Sequence, residues 1–139
     1  MSPDNAPILN VTKLAKRFGG FYALDGLSFH VASGEILGLV GPNGSGKTTA
    51  INVISGLYAP DGGEVVLDGV SIGGVASHKL VHRGINRTFQ VPKPFLSLTV
   101  RENIEVALAY GRAAVAPPAM ADLLDEYRLR TSPTGRRPI

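Results

Sequence analysis

Eight consecutive residues constrain this chain more than any others: Gly41-Pro42-Asn43-Gly44-Ser45-Gly46-Lys47-Thr48, a match to G-x-x-x-x-G-K-[ST]. Glycines let backbone N–H groups turn inward and approach an oxyanion closely. A helix that starts where such a loop ends aims the positive end of its dipole at the anion. Lys47 adds a point charge for β- and γ-phosphates, and the Thr48 hydroxyl is an oxygen donor of the kind Mg2+ accepts. The pattern requires a strand before it and a helix after it. Residues 36–40, Ile-Leu-Gly-Leu-Val, form a continuous apolar run suited to a strand buried on both faces of a parallel sheet. Ile51, Ile54 and Leu57 follow at i, i+3 and i+6, a helical stripe ending near residues 56–60. The expectation is an α/β fold with a nucleotide phosphate chain seated between strand and helix.

The flanks supply more elements. Residues 8–14 and 27–31 predict strands, with Leu27, Phe29 and Val31 alternating with Ser28 and His30. Phe18-Gly19-Gly20 between them reads as a turn. Beyond the loop helix, residues 65–67 and 70–72 flank Asp68-Gly69, a two-residue hairpin signal. Residues 76–82 predict a short helix stopped by Gly84, and residues 85–89 a further strand. Residues 91–97 hold two prolines and predict a loop. Thr99 with Glu102 three positions on forms a capping box opening a helix from Val100 to about Tyr110.

Charge and cysteine content narrow the function classes. The 139 residues carry 14 Lys and Arg against 11 Asp and Glu, a net charge of +3. Arg128, Arg130, Arg136 and Arg137 lie in the last twelve positions with no acid among them, so the basic character belongs to the end of the chain and not to its body. Nucleic-acid binding, which needs a basic patch on a folded face, is not expected. Absence of Cys excludes disulfides, thiol catalysis and Cys-ligated zinc. No apolar run approaches the roughly 18 residues of a membrane span, and no signal peptide is indicated at the start; a cytoplasmic location is expected.

With these neighbours added, the sequence resembles the N-terminal part of the ATP-binding subunits of ABC transporters. The resemblance rests on GEILGLVGPNGSGKTT at 34–49, INVISGLYAPDGGEVVLDG at 51–69, GINRTFQ at 84–90 and LTVRENI at 98–104. It extends over about residues 8–110, and the last two segments are most similar to ATPases of branched-chain amino acid importers. It implies the core of a phosphate-loop NTPase of the RecA-like kind, with an antiparallel β-subdomain. It also implies ATP and Mg2+ as ligands. Residue by residue, Phe18 matches the aromatic that stacks on adenine. Gly41, Asn43, Gly44, Ser45, Gly46, Lys47, Thr48 and Thr49 match the phosphate cradle, with Thr48 on Mg2+. Gln90 matches the glutamine that reaches Mg2+ and the attacking water. The loop from Val91 to Thr99 matches the segment near which a transmembrane permease subunit docks. A second ATP-binding subunit and a position on the inner face of the cell membrane are implied for the family.

Other features of the family are not found after Gln90: no SGG or SGQ triplet, and no apolar strand ending in Asp-Glu. Val65-Val66-Leu67-Asp68 precedes Gln90 and is explained by the hairpin. Leu123-Leu124-Asp125-Glu126 has the Asp-Glu pair but only two apolar residues before it. His78 and His82 stand at metal-pair spacing with no third ligand evident. Residues 1–111 therefore read as the first part of the family's domain, and residues 112–139 as a divergent, Pro- and Arg-containing tail. The expectation is a truncated, incomplete domain of marginal stability, which binds ATP and hydrolyses it negligibly alone. Alternatives are a non-enzymatic nucleotide-binding fragment or another phosphate-loop NTPase; the Asn-Lys-x-Asp motif of a GTPase does not occur.

Overall fold

A long hairpin begins the structure, with β1 at Pro7–Phe18 and β2 at Phe21–Ala32. The computed structural model describes residues 7–91 and 93–110. The chain divides into two compact units, Met1–Leu80 and Val81–Ile139. In the first, β3 (Gly62–Leu67) and β4 (Val70–Ser71) complete an antiparallel sheet in the order β2-β1-β3-β4. Helix α1 (Lys47–Ile54) packs against β2, and the short α2 (Ser77–Val81) buries Leu80. The second unit holds α3 (Val100–Tyr110), at the bounds the capping box predicts.

The core of the first unit gathers Val11, Leu14, Leu24, Ala50, Val53, Val65, Ile72 and Leu80. Strict alternation along β1 would not bury both Val11 and Leu14, which are three residues apart. The pairing register with β2 slips between them, and Lys13 takes a left-handed φ of 48°. This bulge turns both side chains to the same face. The Lys13 N–H donates to Ser28 Oγ at 2.8 Å, so the bulged backbone keeps a partner. The Asp68-Gly69 turn has φ values of 48° and 74°, the left-handed pair that a two-residue hairpin favours. Asp68 is thereby explained as a turn residue.

Three expectations are corrected. Residues 36–40 are not a buried strand: they belong to no strand, and Ile36 and Val40 are 97% and 92% exposed. A strand apolar on both faces needs parallel neighbours and cover above and below. Among the described residues of its unit the sheet is antiparallel, with β1 paired on both edges by β2 and β3. Residues 85–89 also form no strand. There the Arg87 guanidinium lies over the Phe89 ring at 4.4 Å, a contact that needs no sheet. The helix that the Ile51-Ile54-Leu57 spacing predicts ends at Ile54, before the expected residues 56–60, and leaves Leu57 beyond it. Ala50 and Val53 are buried, whereas Ile51 and Leu57 are 45% and 49% exposed. The helix is apolar on two sides, and its Ala50–Val53 side faces the hairpin.

An ion pair ties the hairpin to the start of β3. Asp61 Oδ2 accepts the Arg17 backbone N–H at 2.7 Å and lies 3.1 Å from Lys16 Nζ. The Arg17 N–H first, and Lys16 second, hold the Asp61 carboxyl below its ordinary value of 3.8. A folded value below the unfolded one adds stability above the unfolded pKa, lost as pH falls through the folded one. Thermal unfolding from pH 6 down to pH 3 is expected to show a loss below about pH 4 that is reduced in Asp61→Asn. An unchanged pH profile in that variant would contradict the pairing.

Candidate nucleotide-binding site

The loop at residues 41–46 owes its shape to close approaches within the first unit. Gly44 and Gly46 take φ values of 84° and 87°, and Gly46 is the N-cap of α1 with no side-chain cap. A Cβ on Gly46 would run into the Ala23 carbonyl oxygen on β2 and touch Leu24 Cδ2. A Cβ on Gly41 would stand 2.7 Å from Ser45 Oγ. The loop is thus pressed on β2 at one end and on itself at the other.

The turn within the loop is closed by the Ser45 N–H, which donates to the Pro42 carbonyl at 3.3 Å. The first i to i−4 bond of α1 runs from the Ala50 N–H to the Gly46 carbonyl at 2.8 Å. Helix geometry leaves the N–H groups of Gly46, Lys47, Thr48 and Thr49 without an i−4 carbonyl. Lys47 is half-buried, and its Nζ donates to the carbonyls of Gly41 (2.7 Å) and Pro42 (2.6 Å) and to Ser45 Oγ (3.3 Å). The ammonium therefore sits inside the loop, held by it and closing it.

A cavity of about 260 Å³ opens over this helix start, lined by Asn43, Gly44, Gly46, Lys47, Thr48 and Thr49 together with Phe21 and Ala23 of β2. All eight predicted cradle positions lie here or beside it: Gly41 and Ser45 line the adjoining cavity of about 400 Å³ with Lys47 and Gly46. Neither Phe21 nor Ala23 was expected at the site.

Phe18 ends β1, 45% exposed, with its ring edge against Tyr58 at 5.3 Å and the Lys16 ammonium 5.6 Å from the ring centre. It offers a fixed aromatic surface, but it does not line the small cavity. Gln90 belongs to the second unit and is exposed. Of the loop from Val91 to Thr99, all but Pro92 is described, and it contains no helix or strand. The Asp125-Glu126 pair and the tail lie outside the described residues. Among those described, no three His, Asp or Glu side chains could together hold a metal ion. The donor set fits Mg2+ nonetheless, because that ion is held largely by phosphate oxygens and few protein groups, and the Thr48 hydroxyl stands at the cavity.

A family model described as ABC transporter matches residues 24–136. The high-affinity branched-chain amino acid transport ATP-binding protein BraF of Pseudomonas aeruginosa is 44% identical over 101 residues, 73% of this chain and 40% of its own. The probable branched-chain amino acid transport ATP-binding protein LivG of Methanocaldococcus jannaschii is 45% identical over 101 residues, 73% of this chain and 39% of its own. The chain thus spans about 40% of the length of these curated relatives. Among solved structures, the ADP conformation of MJ1267, an ATP-binding cassette of an ABC transporter, superposes with a TM-score of 0.72 at 34% identity, over 89% of this chain and 55% of that one. The fold is accordingly that of a phosphate-loop NTPase cassette, represented in part, with its antiparallel β-sheet formed.

Proposed function

Since the chain belongs to the ABC transporter family, we propose that it is the nucleotide-binding portion of an ATP-binding subunit that serves import of branched-chain amino acids. The substrate class comes from the names of BraF and LivG. The observation that carries the nucleotide reading is the junction of loop and α1. Backbone N–H groups without intrahelical acceptors and the Lys47 ammonium converge on one cavity, a setting in which a polyphosphate is favoured.

In this reading Gly41, Asn43, Gly44, Ser45, Gly46, Lys47 and Thr49 cradle the phosphates. Thr48 would supply an oxygen ligand to Mg2+, whose charge offsets that of the phosphates, and Gln90, in the second unit, is the residue that matches the family's water-positioning glutamine. Phe18 is the surface for the adenine ring. Phosphoryl transfer depends on positioning and on groups that orient water. The lining of the small cavity includes no carboxylate, and hydrolysis by this chain alone is expected to be negligible. The loop from Val91 to Thr99 is the docking segment for a transmembrane permease subunit, and a second ATP-binding subunit completes the assembly. No described helix is long and apolar enough to cross a membrane; attachment to the inner face would come through the permease.

Titration calorimetry with MgATP and with inorganic tripolyphosphate tests the assignment. Both are expected to bind. Phe18→Ala should weaken ATP about tenfold, the scale of one base–aromatic stack, and leave tripolyphosphate unaffected. Failure of both ligands to bind saturably would refute the nucleotide site; equal weakening of both would refute the role of Phe18.

A further inference from the structure

Helix α1 begins at the phosphate loop, and the chain that leaves its other end comes to rest against Phe18. The helix closes in a left-handed turn. Gly56 takes φ 74°, its N–H donates to the Val53 carbonyl at 3.1 Å, and the Leu57 N–H donates to the Asn52 carbonyl at 2.8 Å. These are the bonds by which a glycine ends a helix and sets the direction of the chain beyond it. The Tyr58 N–H shares the Asn52 carbonyl at 3.3 Å. The Tyr58 ring then stands nearly perpendicular to that of Phe18, at 78°, with the centres 5.3 Å apart. Aromatic quadrupoles favour this geometry.

The residues that follow Tyr58 hold the same strand end by its neighbours. The Asp61 N–H donates to the Ala15 carbonyl at 2.9 Å, and the Asp61 carboxylate accepts the Arg17 N–H at 2.7 Å. Between them, Lys16 Nζ donates to the Ala59 carbonyl at 2.8 Å and lies 3.1 Å from Asp61 Oδ2. The Lys16 side chain is only 13% exposed, so its ammonium is kept in place by two oxygens and is little diluted by water. It lies 5.6 Å from the centre of the Phe18 ring, within reach of a cation–π attraction. Phe18, the last residue of its strand, is thus bounded by a ring and by a cation that are each anchored elsewhere.

We propose that Tyr58 and Lys16 are positioning residues which hold the Phe18 ring ready for a purine base, so that the helix that opens on the phosphate cradle also sets where the base surface stands. This rests on the reading of Phe18 as the surface for adenine. A side chain that is already ordered does not lose its freedom when the base arrives, which is a gain of about two- to tenfold in affinity. The gain is bounded by what the Phe18 ring itself contributes.

Calorimetry of MgATP and of inorganic tripolyphosphate tests the role in Tyr58→Leu, Tyr58→Phe and Lys16→Met, made in the wild-type chain and in Phe18→Ala. Tyr58→Leu and Lys16→Met should each weaken MgATP about fivefold and leave tripolyphosphate unaffected. Tyr58→Phe keeps the ring and should bind MgATP as the wild type does. In Phe18→Ala, neither Tyr58→Leu nor Lys16→Met should cost anything further, because no ring is left to hold. Unchanged MgATP affinity in Phe18→Ala alone overturns the reading of Phe18, and this role with it. A loss in Phe18→Ala beside full affinity in Tyr58→Leu or Lys16→Met overturns the role of that residue only. Equal loss of MgATP and tripolyphosphate, or a further loss in the Phe18→Ala background, overturns it too, since the residue would then act through the fold and not through the ring.

Discussion

Lys47→Ala is expected to weaken MgATP binding about 100-fold, the equivalent of about 2.7 kcal/mol and within the range for a charge-assisted contact to phosphate. Two effects combine in this residue. The ammonium is the cation among the groups lining the small cavity, so its removal leaves the phosphates facing backbone dipoles alone. It also closes the loop, through its bonds to the carbonyls of Gly41 and Pro42, so its removal leaves those two carbonyls without this donor and the loop unclosed. Tripolyphosphate affinity should fall by the same factor as ATP affinity, because the effect is on the phosphates and not on the base. Calorimetry of both ligands against the variant checks this. A variant that holds ATP within a factor of about three of the wild type would show that the cavity over α1 is not the phosphate site.

What the sequence made legible was chemistry confined to a few neighbouring residues. Asp68-Gly69 carries its hairpin in its own tolerance of left-handed φ, and Thr99 with Glu102 carries a helix start in two short side chains. The loop at 41–46 is legible for the same reason: its glycines encode a path that few other sequences could follow. What failed were statements about burial. Residues 36–40 have the composition of a covered strand, yet cover is a property of distant segments, and the antiparallel sheet of β1 to β4 does not provide it. The Ile51-Ile54-Leu57 spacing announced a helix, but α1 is apolar on two sides and the pattern does not say which one meets β2. At the candidate site the residues expected to form the cradle lie together around two adjoining cavities. Phe21 was missed because an aromatic residue after a turn carries no mark of what it will face across space.

That distinction between local path and distant contact separates two glycines of the same loop. Gly44→Ala and Gly46→Ala both force a side chain into left-handed backbone, at φ values of 84° and 87°, a strain of about 1–2 kcal/mol each. At Gly44 nothing else lies within reach of a Cβ, so strain is the whole effect. At Gly46 the added carbon meets the Ala23 carbonyl of β2 and Leu24 Cδ2, and overpacking of this kind adds a further 1–3 kcal/mol or so. Backbone cannot rotate out of the way as a side-chain tip can, so α1 must lift from β2. Leu24 and Ala50, both buried in the same core, would then be partly uncovered. Gly46→Ala is therefore expected to cost about 3 kcal/mol of unfolding free energy against about 1 for Gly44→Ala, measured by urea denaturation. The ATP affinity should follow, falling about 100-fold in the first and less than tenfold in the second. Equal losses in the two variants would mean that the pressure of Gly46 on β2 does not shape the site, and that the glycines act through backbone freedom alone.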